Sequence, residues 1–356
     1  MRIAFTRVDM RQRRVTIKDI ATEAGVSIAL VSFVMSNQDG KETYRVNKET
    51  AKRILEVAER LNYQPNNAAR ALRSGKTRTI GVIVSDISNK FFADIARCIE
   101  DKAFKYKYTV LFGSTDESAK KLENLIDVFL DKGVDGLIIV PCDGADEAIR
   151  LVAGQGLPVV LIDREVTGAE LNSVILNNVR AGTQATEILL SQGCRRIEMI
   201  SYSMRVSNIR EREEGYRLAM ENAGLATECT IHRLRFGKLE RMTEIIRSAK
   251  EHGVEGLVFA TNTLSIAGLK EIPRNGLRIP EDFFVSTFDC NEAFEITNTD
   301  IAYVQQPVEQ FGSEAIDLLI RVIEQKEKPM IHTRIILSPE LVVNRKIPAV
   351  FRVGES

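Results

Sequence analysis

One short pattern occurs twice in the chain and constrains its fold more than any other feature. Residues 133–139 read GVDGLII, and residues 253–259 read GVEGLVF, 120 positions later. Each copy joins a glycine-containing turn to a run of apolar residues, which is typical of the entry into a buried strand. The repetition predicts two lobes that are built in the same way.

Apolar runs alternate with helical patterns from Thr79 onwards. Strands are predicted at Ile80–Val84, Val110–Phe112, Leu137–Val140, Val159–Ile162, Val174–Leu176, Ile197–Ile200, Leu257–Ala260, Phe284–Phe288 and Ile301–Val304. Continuous apolar runs separated by helices indicate parallel sheets covered by helices on both faces. The predicted fold of this region is a two-lobed α/β domain with a cleft between the lobes, which a hinge motion could close.

Polar and aromatic side chains follow the predicted strands where they end. Open sheets bind ligands beyond the carboxyl ends of their strands, so these side chains should face the cleft. Carboxylates, amides and arginines beside aromatic faces suit a ligand rich in hydroxyl groups, such as a sugar. For each residue alone, the alternative is a helix cap or a loop contact. The predicted ligand-binding residues are Asn89, Phe91, Phe92, Asp163, Arg164, Arg212 (expected to begin a helix), Thr261, Asn262, Asp289 and Gln306.

The net charge of zero conceals a basic N-terminus on an acidic remainder. Residues 1–79 hold 16 Lys and Arg against 8 Asp and Glu, and the rest of the chain holds 33 against 41. A basic module attached to an acidic body is the pattern of a nucleic-acid-binding head on a sensor domain.

Residues 16–61 carry the punctuation of three short helices. Thr16 and Asp19 have the spacing of a capping box, and Gly25 stands where the first helix should end. Ser27 is a good N-cap for a second helix over 28–36, and a third helix is expected over about 48–61. Two helices joined by so tight a turn predict a helix-turn-helix unit.

The second helix of such a unit enters the major groove of DNA. Val31 and Val34 should face the small core, whereas Ile28, Ala29, Ser32 and Phe33 should face outward. Another apolar interface is the alternative use of the outward side chains. A further short helix is expected from a cap at Asn66 to Gly75, and Leu72 on it would be an apolar wedge for the minor groove.

The motifs VTIKDIA (15–21), AGVS (24–27), LNYQPN (61–66) and DISNKFF (86–92) resemble the lactose-repressor (LacI) family of bacterial transcription regulators. The likeness runs from about residue 15 to 347. It implies a helix-turn-helix head, a hinge helix and a sensor that shares its two-lobed architecture with periplasmic sugar-binding proteins. In the family, the positions matching 91, 92, 163, 212, 261 or 262 and 289 line the effector pocket.

The chain departs from the family pattern in the second helix. Leu30 and Phe33 occupy positions where the family usually has Thr and Arg, so the strongest direct contact to guanine is missing. We therefore expect apolar contacts to thymine methyl groups and phosphate contacts from basic residues nearby. The predicted DNA-binding residues are Thr16, Ser27, Ile28, Ala29, Ser32, Phe33, Lys41, Arg45, Asn66, Ala69, Arg70 and Leu72.

The expected organisation follows from these patterns. Residues 1–14 form a basic extension, 15–64 the helix-turn-helix domain, 65–78 the hinge helix and linker, and 79–349 the effector-binding domain. Within that domain the N-lobe takes about 79–175 and 306–334, and the C-lobe takes about 176–305 and 335–349. The expected protein is a homodimeric repressor that binds double-stranded operator DNA and a carbohydrate effector.

Other classes of protein find less support. Five scattered cysteines without a C-x-x-C pair predict no metal site, and the chain lacks the motifs of catalysis or of a bound cofactor. No apolar run is long enough for a membrane span, and the N-terminus lacks a secretory core, so a cytoplasmic protein is expected. The rival interpretations are a solute-binding transport protein and an enzyme with a DNA-binding head.

Overall fold

The computed structural model describes residues 15–36, 46–63, 75–289, 301–324 and 332–343. The chain divides into an N-terminal unit that ends at Lys76 and a C-terminal unit that begins at Thr77. The predicted basic extension and hinge helix, with Lys41, Arg45, Asn66, Ala69, Arg70 and Leu72, lie outside the described residues.

Three helices form the described part of the N-terminal unit: α1 (Ile17–Ala24), α2 (Ile28–Ser36) and α3 (Lys48–Arg60). The predicted capping box is present, since Asp19 N–H donates to the Thr16 hydroxyl and the Asp19 carboxylate accepts from Thr16 N–H at 2.8 Å. Gly25 ends α1 in the left-handed conformation, at φ 64°. These local signals explain why the first two helices meet in a tight turn.

A small apolar core holds the three helices together. Ile20, Val31 and Ile54, one from each helix, are fully buried, and Val34 is buried beside them as predicted. An ion pair of 2.7 Å between Arg60 and Glu23 also joins α3 to α1 at the surface. The core uses one face of α2, and Ile28, Ala29, Ser32 and Phe33 on its other side are not among the core residues.

The C-terminal unit contains two six-stranded sheets of the same design. The first sheet has the order β11-β5-β4-β3-β1-β2 and the second β12-β10-β9-β8-β6-β7. The strands are β1 (Thr79–Val84), β2 (Thr109–Ser114), β3 (Gly136–Ile139), β4 (Val159–Ile162), β5 (Asn172–Leu176), β6 (Ile197–Tyr202), β7 (Thr230–Leu234), β8 (Gly256–Phe259), β9 (Phe284–Phe288), β10 (Ile301–Gln305), β11 (Arg334–Leu337) and β12 (Glu340–Val343).

Helices cover these sheets. They are α4 (Lys90–Lys105), α5 (Ala119–Asp131), α6 (Asp146–Gly154), α7 (Asn178–Ser191), α8 (Ser207–Asn222), α9 (Met242–Glu251), α10 (Asn262–Arg274) and α11 (Val308–Glu324), with a short 3₁₀ turn at Ala226–Glu228. Residues such as Ile80, Ile138 and Val160 in the first sheet, and Val258 in the second, are fully buried. The two lobes are as the sequence predicted, and most of their strands are parallel.

The repeated sequence pattern marks equivalent places in the two sheets. Asp135 precedes β3, and its carboxylate accepts from the backbone N–H groups of Thr77 and Arg78 at 2.8 and 2.9 Å. Glu255 precedes β8, and its carboxylate accepts from the N–H groups of Arg195 and Arg196 at 2.5 and 3.0 Å. The acidic residue of each repeat therefore caps the chain as it enters the strand that starts its lobe.

The last strands differ from the expected division of the lobes. Residues 335–337, which were expected in the second lobe, belong to β11 and pair with β5 in the first sheet. The second sheet resumes at β12, which pairs antiparallel with β10, so this sheet is not wholly parallel. The edge strand β7 was not among the predicted apolar runs, because its polar residues Thr230, His232 and Arg233 interrupt the hydrophobic pattern.

Helices α7 and α8 of the second lobe approach each other through two glycines. A β-carbon on Gly182 would lie 2.2 Å from the Arg212 carbonyl oxygen, and one on Gly215 would lie 2.1 Å from that of Val179. Real atoms do not approach so closely, and the clashing atoms are backbone rather than flexible side chains. The two glycines therefore set the distance between the helices and the position of Arg212.

We expect Gly182→Ala and Gly215→Ala each to lower the free energy of unfolding by about 1–3 kcal/mol, because the added methyl group must force the helices apart. Gly154→Ala is the matched control, since this helical glycine has no neighbour within 4 Å of the added carbon. The control should be neutral or stabilising by up to about 1 kcal/mol. Chemical denaturation of the three variants measures the difference, and equal effects would contradict the packing argument.

Candidate functional site

One cavity lies where the carboxyl ends of the two sheets face each other. It encloses about 550 Å³ between its lining atoms, including space open to solvent. All ten residues that the sequence predicted for a ligand site line it: Asn89, Phe91, Phe92, Asp163, Arg164, Arg212, Thr261, Asn262, Asp289 and Gln306. The cavity therefore draws on both lobes and on the ends of strands far apart in the sequence.

Two of these residues also cap helices, as the alternative interpretation allowed. The Asn89 side chain accepts from Phe91 N–H at 3.1 Å at the start of α4. The Thr261 hydroxyl accepts from Leu264 N–H at 3.3 Å at the start of α10. Because both helices begin at the cavity, the capping residues also contribute polar atoms to its lining.

Arg212 is buried in the wall of the second lobe, and several elements hold its guanidinium. It donates to Asn178 at 2.9 Å, to the Ala260 carbonyl at 2.8 Å and to Gln306 at 3.0 Å. Its guanidinium carbon lies 3.9 Å from the centre of the Phe288 ring, which is a cation–π contact. Arg212 does not begin a helix as predicted: α8 starts at Ser207, and Arg212 lies in its second turn.

Asp289 follows β9 and is buried beside Arg212. Its carboxylate accepts from the side chain of Gln306 at 2.7 Å and from Gln306 N–H at 3.2 Å. Burial raises the pKa of Asp289 to about 6, although the hydrogen bonds from Gln306 and the charge of Arg212 oppose the shift. A carboxyl group in this state can accept hydrogen bonds from a ligand or exchange a proton near neutral pH.

Asp163 holds the equivalent place in the first lobe, after β4. Both aspartates have positive φ, 66° at Asp163 and 60° at Asp289, so the chain turns sharply as it leaves each strand. Burial raises the pKa of Asp163, against the opposing charges of Arg164 and Arg212. Among the described residues, its Oδ1 atom is buried and accepts no hydrogen bond, so the cavity presents an acceptor that a ligand could satisfy.

Direct hydrogen bonds join the two lobes at the edge of the cavity. The Asn208 side chain donates to Asp163 at 2.8 Å, and Glu165 N–H donates to the Ser207 hydroxyl at 2.9 Å. Arg205 N–H donates to the Asp143 carboxylate at 3.2 Å. The start of α8 in the second lobe is thus fastened to strand ends of the first, and any opening of the cleft must break these bonds.

Aromatic rings form much of the apolar part of the cavity. Phe91 and Phe92 pack edge to face with their centres 5.0 Å apart, and Phe91 makes a similar contact with Phe311 of α11. Tyr202 and Phe236 from the second lobe lie 5.6 Å apart. Flat apolar faces beside polar groups at fixed positions are the usual construction of a small-molecule site.

Several lining residues were not predicted. They include Glu117, Tyr202, Met204, Asn208, Ile209, Phe236 and Thr263. Tyr202 is the last residue of β6, so the rule applied to the other strands would have found it. Glu117 and Phe236 follow the edge strands β2 and β7, whose distance from the cleft the sequence does not show.

The outer face of α2 in the N-terminal unit carries the predicted DNA-binding residues. Ile28 is 52% exposed, Ala29 is exposed, and Ser32 and Phe33 are half-buried. None of the four belongs to the core of this unit, whereas Val31 and Val34 do. The helix therefore presents an uncharged, partly apolar face without an arginine.

Thr16 and Ser27 differ in what they can offer a phosphate group. The Thr16 hydroxyl donates to the Asp19 carboxylate at 2.7 Å, so its proton is already engaged. The Ser27 hydroxyl accepts from Leu30 N–H at 3.2 Å in capping α2. A hydroxyl that accepts one hydrogen bond can still donate another, so this bond does not engage the Ser27 proton.

We expect the stability of Asp289→Asn relative to the unaltered protein to rise with pH. The folded carboxyl has a pKa of about 6 against its ordinary 3.8, so the folded state binds more protons in this window and the free energy of unfolding falls as pH increases. The loss is about 2 kcal/mol between pH 4 and 7, and an amide cannot undergo it. Urea denaturation at several pH values measures the difference.

Glu255→Gln is the control of opposite sign. The N–H groups of Arg195 and Arg196 lower the pKa of Glu255, so its contribution to stability is present above the ordinary pKa and lost as the pH falls. This variant should lose stability relative to the unaltered protein as the pH rises. The same trend in both variants would show that the aspartate is not the cause.

Among the described residues, no cluster of three or more His, Cys, Asp or Glu side chains could hold a metal ion. The described helices include none long and apolar enough to cross a membrane.

Comparison with known proteins covers both units. The family described as "Bacterial regulatory proteins, lacI family" matches residues 16–66, and "Periplasmic binding proteins and sugar binding domain of LacI family" matches residues 77–346. The HTH-type transcriptional regulator RegA of Clostridium saccharobutylicum is 31% identical over 315 residues, which are 88% of this chain and 93% of RegA. The ribose operon repressor of Halalkalibacterium halodurans is 30% identical over 87% of this chain and 91% of its own.

A solved structure shares the architecture. The Lac repressor dimer bound to operator and the anti-inducer ONPF superposes with a TM-score of 0.79 at 20% identity, over 93% of this chain and 98% of that chain. At this identity the likeness concerns the fold. With the family matches over both units, it agrees with the two-lobed domain and the helix-turn-helix head described above. The chain therefore belongs to the LacI family of bacterial regulatory proteins and is a DNA-binding transcription regulator.

Proposed function

We propose that the protein is a transcription repressor whose affinity for operator DNA is controlled by a small, hydroxyl-rich effector of the carbohydrate class. The observation that carries the effector part is the convergence of ten predicted side chains on one cavity between two lobes. The DNA-binding part of the proposal rests on the exposed face of α2 and on the family match over residues 16–66.

A sugar fits the chemistry of the cavity for two reasons. The carboxylates of Asp163 and Asp289 accept hydrogen bonds from hydroxyl groups, and the amide of Asn262 can both donate and accept. The rings of Phe91 and Phe92 offer the apolar surface that the C–H faces of a sugar require. One relative is named a ribose operon repressor, and this name supports an effector of the carbohydrate class.

The effector controls DNA binding through the relation of the two lobes. A ligand that binds one arrangement of the lobes better than another shifts the population towards it by its difference in affinity. The interlobe hydrogen bonds at Asp163, Glu165 and Asp143 are the contacts that distinguish the arrangements. Since the coupling is reciprocal, operator DNA must change effector affinity by the same factor, whether the effector induces or corepresses.

On the DNA side, we propose that Ile28, Ala29 and Phe33 contact thymine methyl groups while Ser27 donates to a phosphate. A homodimer would place two heads on a roughly palindromic site, and dimerisation would use surfaces of the C-terminal unit. Such a protein acts where its operator lies, in the bacterial cytoplasm. We propose no catalytic step in the cavity.

We expect at least one member of a panel of neutral sugars to raise the melting temperature in a concentration-dependent manner, because a bound ligand stabilises by mass action. Arg212→Gln should remove the response, since it breaks three hydrogen bonds in the cavity wall. The same sugar should change the affinity for the protein's own promoter region. The proposal of a regulator with a sugar effector would be contradicted if the sugar were converted to product. It would also be contradicted if the sugar bound without any effect on DNA affinity.

Ile28→Ser should weaken operator binding by about tenfold without lowering the melting temperature, because the side chain is 52% exposed and outside the core. Leu55→Ser on α3 is the matched control, as Leu55 is also apolar and 39% exposed. Gel shifts with promoter and random duplexes separate the two variants. Equal binding by both would place the DNA interface elsewhere.

A further inference from the structure

More acidic than basic residues line the cavity. Four carboxylates line it, those of Asp86, Glu117, Asp163 and Asp289, against the two guanidiniums of Arg164 and Arg212. An anion entering such a site would meet more carboxyl groups than guanidinium groups at short range, where partial burial weakens the screening by water. The composition of the lining therefore works against acidic ligands unless a guanidinium is free to receive them.

Arg164 is not free, because Glu117 occupies its guanidinium. The two side chains form a pair of parallel hydrogen bonds of 2.7 and 2.8 Å, and each is only 6% exposed. A third bond of 3.0 Å runs from Arg164 to the Pro141 carbonyl. The edge formed by the two terminal nitrogens is thus already engaged by a carboxylate of the protein. The buried Nε lies 3.5 Å from the Asp163 carboxylate and makes no hydrogen bond among the described residues.

The backbone around Glu117 is shaped to place this carboxylate. Glu117 has φ 58° and Asp116 has φ 50°, a conformation that costs free energy for residues with a β-carbon. Thr115 N–H donates to the Val84 carbonyl at 3.0 Å, which anchors the loop to the end of β1. Two consecutive residues in the left-handed conformation follow the edge strand β2, and their loop is bonded to the end of β1. This turn brings the Glu117 side chain into the cavity.

The guanidinium of Arg212 is also engaged by the protein, so it offers an anion little more than Arg164 does. Its hydrogen bonds join Asn178, Ala260 and Gln306, and its planar face lies against a phenylalanine ring. The carboxylates of Asp163 and Asp289 both interact with its charge. Each guanidinium in the cavity is therefore balanced by at least one buried carboxylate.

We propose that Glu117 is a specificity-determining residue: by neutralising Arg164 it restricts the cavity to uncharged, hydroxyl-rich effectors and excludes phosphorylated or carboxylated ones. This inference rests on the proposed function, because it specifies the charge of the effector bound at the same site. Glu117 acts through Arg164, so removing its charge should create an anion site without replacing any other lining residue.

Inorganic phosphate is the probe, since it tests the anion site without knowledge of the natural effector. In calorimetric titrations at constant ionic strength, the unaltered protein should show no saturable phosphate binding up to the highest concentration tested, whereas Glu117→Gln should bind phosphate saturably at least about tenfold below that concentration. Glu213→Gln is the matched control: Glu213 also pairs with an arginine, Arg233, and its side chain is 7% exposed, but it lies outside the cavity lining. This control should gain nothing.

Glu117→Gln combined with Arg164→Gln should lose the phosphate binding that the single variant gains, which assigns the anion to Arg164. Saturable phosphate binding by the unaltered protein in the cavity overturns the proposal. So does a folded Glu117→Gln that gains no affinity, or a gain that persists without Arg164.

A second measurement keeps the proposal testable should Glu117→Gln fail to fold. The unaltered protein is titrated with neutral aldoses and, in parallel, with the phosphate ester and the aldonic acid of each. Binding of a neutral sugar at least about tenfold more tightly than its anionic derivatives supports the proposal. Preference for the anionic derivative overturns it but leaves the sugar-responsive regulator intact, whereas loss of binding to every compound contradicts the proposed function itself.

Discussion

The guanidinium of Arg212 connects more of the ligand-facing surface than any other group described. It joins α7 through Asn178, the end of β8 through Ala260 and the end of β10 through Gln306, and it stacks on the last ring of β9. A buried charge is stable only where hydrogen bonds and opposite charges replace water. The second lobe meets this requirement by bringing several strand ends together, so folding around Arg212 also builds one wall of the cavity.

The close helix contact behind Arg212 belongs to the same constraint. Gly182 and Gly215 let α7 and α8 approach until the backbone of one touches that of the other. Asn178 on α7 can then reach Arg212 on α8 at 2.9 Å. The hydrogen-bond network of Arg212 therefore needs a glycine in each helix. In this way the packing of the lobe determines the geometry of its ligand-facing surface.

The sequence predicted the fold and most of the cavity because both depend on local rules. Apolar runs identify central strands, and parallel strands end at one edge, so residues such as Asp163 and Asp289 could be placed together without knowledge of the register. Glu117 escaped prediction because its role depends on a contact with Arg164, 47 positions away, and on two left-handed residues that are not glycine. The start of α8 was missed because its N-cap is Val206, which has no side chain able to cap a helix.

The two aspartates show how the repeated design supplies a site with two different halves. Each follows the fourth strand of its lobe and turns with positive φ, and its N–H bonds the carbonyl of the adjacent strand, Val174 or Val304. Their partners then diverge, since Asp289 is held by Gln306, the residue directly after β10 of the same sheet, whereas Asp163 is held by Asn208 of the other lobe. The bond from Asn208 to Asp163 spans the lobes, so a separation of the lobes must break it. An effector that binds the arrangement with this bond better than the arrangement without it supplies the difference in affinity that regulation requires.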